Sequence, residues 1–162
     1  MKRILLILLI ILVAIQFIRS AKNMHPEAQT NNISKLYSVP DDVEAVLVKA
    51  CNDCHSNNTH YPWYSNIQPV AWWLHNHVED GKEELNFDEF ASYPLAKQYH
   101  KLHEIEEQLD KNEMPLSSYT LIHTDAKLNN AEKNILITWS KHISKQMETK
   151  YPKDSLERKR NR

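Results

Sequence analysis

The sequence predicts an all-α fold, and two observations carry that expectation. Glycine is almost absent: Gly81 is the only one in 162 residues. Tight hairpins and glycine-rich phosphate loops lean on glycine, whereas helices need few positive-φ positions. Apolar residues also recur at i, i+3, i+4 and i+7 in several segments, the period of a half-buried helix.

Taken in order, Lys2 and Arg3 precede an apolar run from Ile4 to Ile18, broken only by Gln16 and followed by Arg19 and Lys22. This reads as a signal peptide or signal anchor over residues 1–20. The run falls short of the roughly 20 residues a spanning helix prefers, but flanking Lys and Arg can snorkel. Ser20 and Ala21 are small, yet Ile18 and Arg19 stand where cleavage needs another small residue. An uncleaved anchor is expected, with a cleaved form as the alternative. The positive-inside rule keeps Lys2 and Arg3 in the cytoplasm and places the remainder in the periplasm. Residues 21–39 are polar and aperiodic, a linker or an arm draped over the domain. Met24 and His25 within it read as solvated residues.

The domain is expected over residues 40–150. Pro40 suits a helix start. Asp41, Asp42 and Glu44 favour its dipole, and Val43, Val46, Leu47 and Ala50 give one buried face. A second helix is predicted from Pro69 to about Asp80, with Gly81 as its C-terminal stop. Its stripe is Val70, Trp73, Leu74 and His77. Residues 85–93 connect, with Phe87 and Phe90 as apolar plugs. A longer helix runs from Pro94 to about Lys111 on Leu95, Tyr99, Leu102, Ile105 and Leu109. Glu104, Glu106, Glu107 and Lys111 read as its solvated side, with His100 and His103 at the surface or rim. The last helix spans Asn129 to about Lys150, opened by a capping box of Asn129 and Glu132. Ile135, Leu136, Trp139, His142, Ile143 and Met147 make its stripe. Residues 151–162 form a charged tail, expected to be disordered.

The chemistry concentrates in Cys51-Asn52-Asp53-Cys54-His55, which holds both cysteines of the chain. Cys-x-x-Cys-His reads as a site of covalent c-type haem attachment. Two thiols on one turn can each form a thioether with one of the two vinyl groups on a haem edge. The following His55 then serves as proximal iron ligand. Three other readings compete. A zinc site wants about four ligands and finds no second cysteine pair. A thioredoxin-like pair wants a βαβ context. A disulfide between such close neighbours closes a tiny loop. Tyr61-Pro62-Trp63-Tyr64 fits a haem wall, or else ordinary loop anchoring. Met114 sits in the loop after the long helix, stiffened by Pro115. It is the candidate sixth ligand, its alternative role being loop packing. His77 is the competing ligand. Charged residues make up 25% of the chain and the net charge is −1, so nothing points to nucleic acid. No acid/base pair or nucleophile triad stands out, which argues against an enzyme.

Residues 40–145 resemble the small bacterial haem-binding domain of cytochrome c type. The matching pieces begin with Cys51 to Asn57 and with Thr59 followed by Tyr61 to Tyr64. Pro69 to Trp73, His77, Val78 and Gly81 come next, then Glu113-Met114-Pro115, Tyr119 and Leu128 to Trp139. The resemblance implies a cytochrome c-like fold whose first and last domain helices pack together. It implies one covalent haem c held by Cys51, Cys54, His55 and Met114, and electron transfer as the function. The resulting expectation is a membrane-tethered, exported one-electron carrier whose redox partner the sequence does not name. The alternative is a haem enzyme or gas sensor with an exchangeable sixth ligand.

Overall fold

The computed structural model describes residues 1–157, and among these the regular structure is helical. The helices are α1 (Lys2–Ile15), α2 (Asp41–Ala50), α3 (Asn52–His55), α4 (Val70–Glu84), α5 (Leu95–Asp110), α6 (Ser117–Thr120), α7 (Asn130–Lys150) and α8 (Lys153–Leu156). The core lies between α2, α5 and α7. Val43, Val46 and Leu47 of α2 meet Leu102 and Leu109 of α5 and Leu136, Trp139 and Ile143 of α7. The expected pairing of the first and last domain helices is present. An ion pair between Lys49 and Glu132 at 2.6 Å ties α2 to α7. The Trp139 indole N–H donates to the Ser38 carbonyl just ahead of α2.

Local chemistry accounts for the helix ends. The Asn129 side chain accepts from the Glu132 amide while the Glu132 carboxylate accepts from the Asn129 amide, so the capping box forms as expected. Helix α5 ends at Asp110, and two residues on Asn112 takes a left-handed φ of 59°. The Asn112 and Glu113 amides donate back to Leu109 and Gln108, satisfying carbonyls that the helix end would leave bare. This stop turns the chain toward Met114.

Several expectations are corrected. Gly81 does not stop its helix: α4 runs on to Glu84 with Gly81 inside it. His142 lies off the buried stripe of α7, exposed and bonded to Gln146. Ile137, Ser140 and Ser144 take the buried positions. The charged side of α5 is only partly solvated: Glu107 and Lys111 are exposed, but Glu104 and Glu106 are half-buried. The tail begins with order: α8 inserts Leu156, 5% exposed, into the core. Its basic residues Arg158, Lys159, Arg160 and Arg162 lie outside the described residues.

The segment read as linker or arm lies against the domain. Ile33 joins the core. Asn23 is buried, donating to the Ser56 carbonyl and Thr59 Oγ1 and accepting from Lys82. Met24 bridges Asn58. Ahead of it, α1 has 14 residues, about 21 Å at 1.5 Å per residue. Among the described residues no helix is long and apolar enough to cross a membrane. The expected spanning anchor therefore has no full-length helix, because the apolar helix stops short of the ~30 Å hydrocarbon layer.

Candidate haem site

The site forms where α3 meets α4. The α2 helix delivers Cys51, whose amide still bonds to the Leu47 carbonyl. The single turn of α3 then carries Cys54 and His55 round. Its Cys54 and His55 amides both donate to the Cys51 carbonyl. The packing of α3 on α4 depends on Gly81. A Cβ built there would lie 2.8 Å from the Cys54 carbonyl oxygen and 3.0 Å from Cys54 Cβ. The sole glycine thus lets two backbones touch behind the second cysteine.

That close approach fixes the histidine. His55 Nδ1 is 2.9 Å from the Gly81 carbonyl and 2.9 Å from the Leu85 carbonyl. Both partners only accept, so Nδ1 carries the proton and Nε2 keeps its lone pair. Burial pulls the His55 pKa below its ordinary value, against the upward pull of the two carbonyls. The ring is held neutral, with the tautomer that metal ligation through Nε2 requires. The Phe87 ring stands edge-on to it at 6.5 Å.

Two adjoining cavities, of about 250 Å³ and about 300 Å³, open beside this ring. Both are bordered by Cys51, His55, Leu109 and Met114, so α3 and the loop after α5 face the same space. Leu47, Phe87, Ile105 and Leu136 extend the apolar wall on one side. Cys54, Leu116, Tyr119 and Leu128 do so on the other. The structure thus brings together Cys51, Cys54, His55 and Met114, the four residues singled out in the sequence. His77 borders the second cavity as well. Its Nδ1 bonds to the Trp73 carbonyl at 2.9 Å and its ring lies on Trp73.

The thiols are free. Burial, reinforced by the neighbouring Cys54, pushes the Cys51 pKa up to about 12. Burial, reinforced by Asp53, pushes Cys54 up to about 11. Thiols this weakly acidic are poor redox exchangers, because exchange needs thiolate. No group of three or more His, Cys, Asp and Glu side chains suited to a metal ion occurs among the described residues.

Three features were not read from the sequence. Lys101 lies in the cavity wall with its side chain 7% exposed, bonded to Glu84 at 3.0 Å and Glu104 at 2.5 Å. Burial works against its charge, but the hydrogen bonds to Glu104 and Glu84 outweigh it and hold the pKa above the ordinary value. Its place beside Leu102 on the edge of the α5 stripe was the available signal. Second, Tyr119 supplies the aromatic wall. It donates to Asp53 at 2.8 Å, stacks on His123 at 4.4 Å, and its pKa is raised by burial and by that hydrogen bond. Third, Tyr61, Trp63 and Tyr64 stay outside the cavities. Trp63 is 77% exposed, and Tyr64 reaches only His123, at 2.5 Å. The haem-wall reading of Tyr61 to Tyr64 is therefore corrected to its alternative, loop anchoring, and Tyr119 and Phe87 line the cavities instead.

A helical domain with an apolar cavity, a histidine fixed for metal ligation and two flanking thiols has the make-up of a haem-binding protein. The family comparison agrees: a family model described as a haem-binding domain matches residues 10–142. The chain belongs to that haem-binding domain family. The match starts inside α1 and includes the arm that packs on the domain. No curated protein and no solved structure matches the chain.

Proposed function

We propose that this is an exported, membrane-tethered cytochrome of c type that carries single electrons. The observation that supports it most is the fixing of His55: Nδ1 is held by two α4 carbonyls, and Cys51, Cys54 and Met114 border the same cavity. In this reading Cys51 and Cys54 each add a thiol across a haem vinyl group, the sulfur joining one carbon and the hydrogen the other. His55 Nε2 and the Met114 sulfur are the groups that would hold the iron. Haem in this cavity supplies a ferric/ferrous couple, whose potential follows the axial ligands and the dryness of the site. The chain's own part is to hold the ligands, keep His55 neutral and exclude water with Leu47, Phe87, Leu109 and Leu136. The basic start, Lys2 and Arg3, followed by α1, supports export and a membrane tether, with the haem domain on the periplasmic side.

The test is expression in a host able to mature cytochromes c. Haem should stay with the chain through acid–acetone extraction and denaturing electrophoresis. Cys51→Ala and Cys54→Ala should each lower the yield, and the double variant should abolish covalent haem. Extractable haem in the unaltered protein overturns covalent attachment. The oxidised protein should be low-spin with a weak far-red sulfur-to-iron band that Met114→Ala removes. A spectrum unchanged by Met114→Ala but made high-spin by His77→Ala overturns the Met114 assignment. Carbon monoxide binding to the reduced native protein overturns the carrier in favour of a gas sensor or enzyme.

A further inference from the structure

The end of the domain nearest α1 carries most of the exposed apolar side chains outside that helix. The Gln16 side chain closes α1 onto Gln68, accepting from its amide at 2.9 Å and donating to its carbonyl at 3.2 Å. The Ile18 carbonyl accepts from Gln68 Nε2 at 2.8 Å and from the Trp72 indole at 3.0 Å. The tether is therefore bonded directly to the start of α4. Around that point Trp63, Ile67, Val70, Trp73 and Leu121 all stand exposed, Trp63 and Leu121 at 77% each. Leu121 and the also exposed Ile122 are brought there by their neighbour His123, which bonds to Tyr64 beside Trp63.

Charge follows the same geography. Arg19 and Lys22 border the groove between the tether and α4, and Lys22 sits over the Tyr61 ring. The acidic side chains of α4, Glu79, Asp80, Glu83 and Glu84, fall in its C-terminal half. Tryptophan with lysine and arginine is the composition of the lipid headgroup layer, and contiguous exposed apolar surface marks a contact. Length supplies the second argument. A helix of about 21 Å under-spans the ~30 Å hydrocarbon layer, a mismatch relieved if the structure bonded to its end also enters the interface.

We propose that this apolar end, centred on Trp63, Ile67, Val70 and Trp73, is a membrane seat that rests in the lipid interface beside α1. This deepens the tether reading above and rests on it. The consequence is a fixed orientation. The haem domain does not swing on a flexible linker, and the His77 edge of the cavity, stacked on Trp73, is held close to the headgroups.

The test uses the full-length holoprotein in phosphatidylcholine and phosphatidylglycerol vesicles whose acyl chains carry a diazirine. After photolysis, labelled peptides are mapped by mass spectrometry. The seat predicts label on residues 1–18 and also on the 61–73 and 121–122 peptides. A double variant, Trp63→Ser with Trp73→Ser, should lose the 61–73 label and keep that of α1, with an unchanged haem spectrum reporting an intact fold. Label confined to residues 1–18 overturns the seat and leaves the tether standing. No label anywhere overturns both. Cross-linking of the patch to a second copy, without lipid label, overturns the seat in favour of a protein contact.

Discussion

Replacing the only glycine tests how the site is built. In Gly81→Ala two effects oppose each other. Alanine favours a helix interior by about 1 kcal/mol over glycine, and Gly81 lies within α4 at no positive φ. Against this, the new Cβ would stand 2.8 Å from the Cys54 carbonyl oxygen and 3.3 Å from its carbonyl carbon. These are backbone atoms that cannot rotate aside, so α3 and α4 must separate. Overpacking of this kind costs roughly 1–3 kcal/mol. The clash is expected to win, with a net loss of up to about 2 kcal/mol over the two effects. For a urea slope of about 2 kcal/mol per molar, the midpoint falls by up to roughly 1 M. A second readout separates the site from mere stability. The Gly81 and Leu85 carbonyls hold His55 Nδ1, so moving α4 loosens the ligand's anchor, and the haem spectrum and midpoint potential should shift. Urea denaturation and redox titration of the holoprotein measure both. A midpoint that rises, with spectrum and potential unchanged, would show that helix propensity decides at Gly81 and that the contact with Cys54 does not organise the site.

Three further outcomes follow from the same structure. Hydrogen bonds from Lys49 and from the Asn129 amide hold the Glu132 pKa below its ordinary 4.5. A carboxylate lowered on folding stabilises above its unfolded pKa and loses that contribution as pH falls through the folded value. Glu132→Gln should therefore destabilise at neutral pH, and its difference from the unaltered protein should shrink below pH 4.5. A pH-independent difference contradicts the ion pair. In haem-free folded protein, raising Cys54 from 9.0 to about 11 cuts its thiolate about 100-fold at pH 8. Iodoacetamide should label it correspondingly more slowly than in urea, and equal rates would restore the redox-pair reading. Leu156→Ala should cost about 2 kcal/mol, the low end for a buried leucine because α8 is terminal. An unchanged denaturation curve would show that α8 contributes nothing to the core.

Much of the fold was legible because helices are encoded locally. The capping box of Asn129 and Glu132, the acidic first turn of α2 and the apolar stripe of α5 each depend on residues a few positions apart. The motif at Cys51, Cys54 and His55 was legible for the same reason, since its chemistry needs a fixed spacing along one turn. Met114 could be marked as a candidate because a helix stop and a proline bracket it. What the chain order left open was the meaning of residues whose partners are distant. Gly81 looked like a helix stop because its neighbour across the gap, Cys54, is on another helix. Lys101 drew no reading because its burial depends on Glu84 and on how α5 lies beside the cavity. Tyr119 pairs with Asp53 from 66 positions away, and His55 finds its carbonyl acceptor 26 positions on. The arm at Asn23 and Ile33 has no periodicity, so only its hydrogen bonds and burial in place reveal it as part of the domain. The sequence by itself determined the helices and the Cys-x-x-Cys-His spacing, both short-range features. The tertiary structure alone decided which ring walls the cavity, which nitrogen of His55 keeps its lone pair and which face of α4 stays bare. Each of those depends on the crossing of helices, a geometry that summed packing sets and no local repeat encodes.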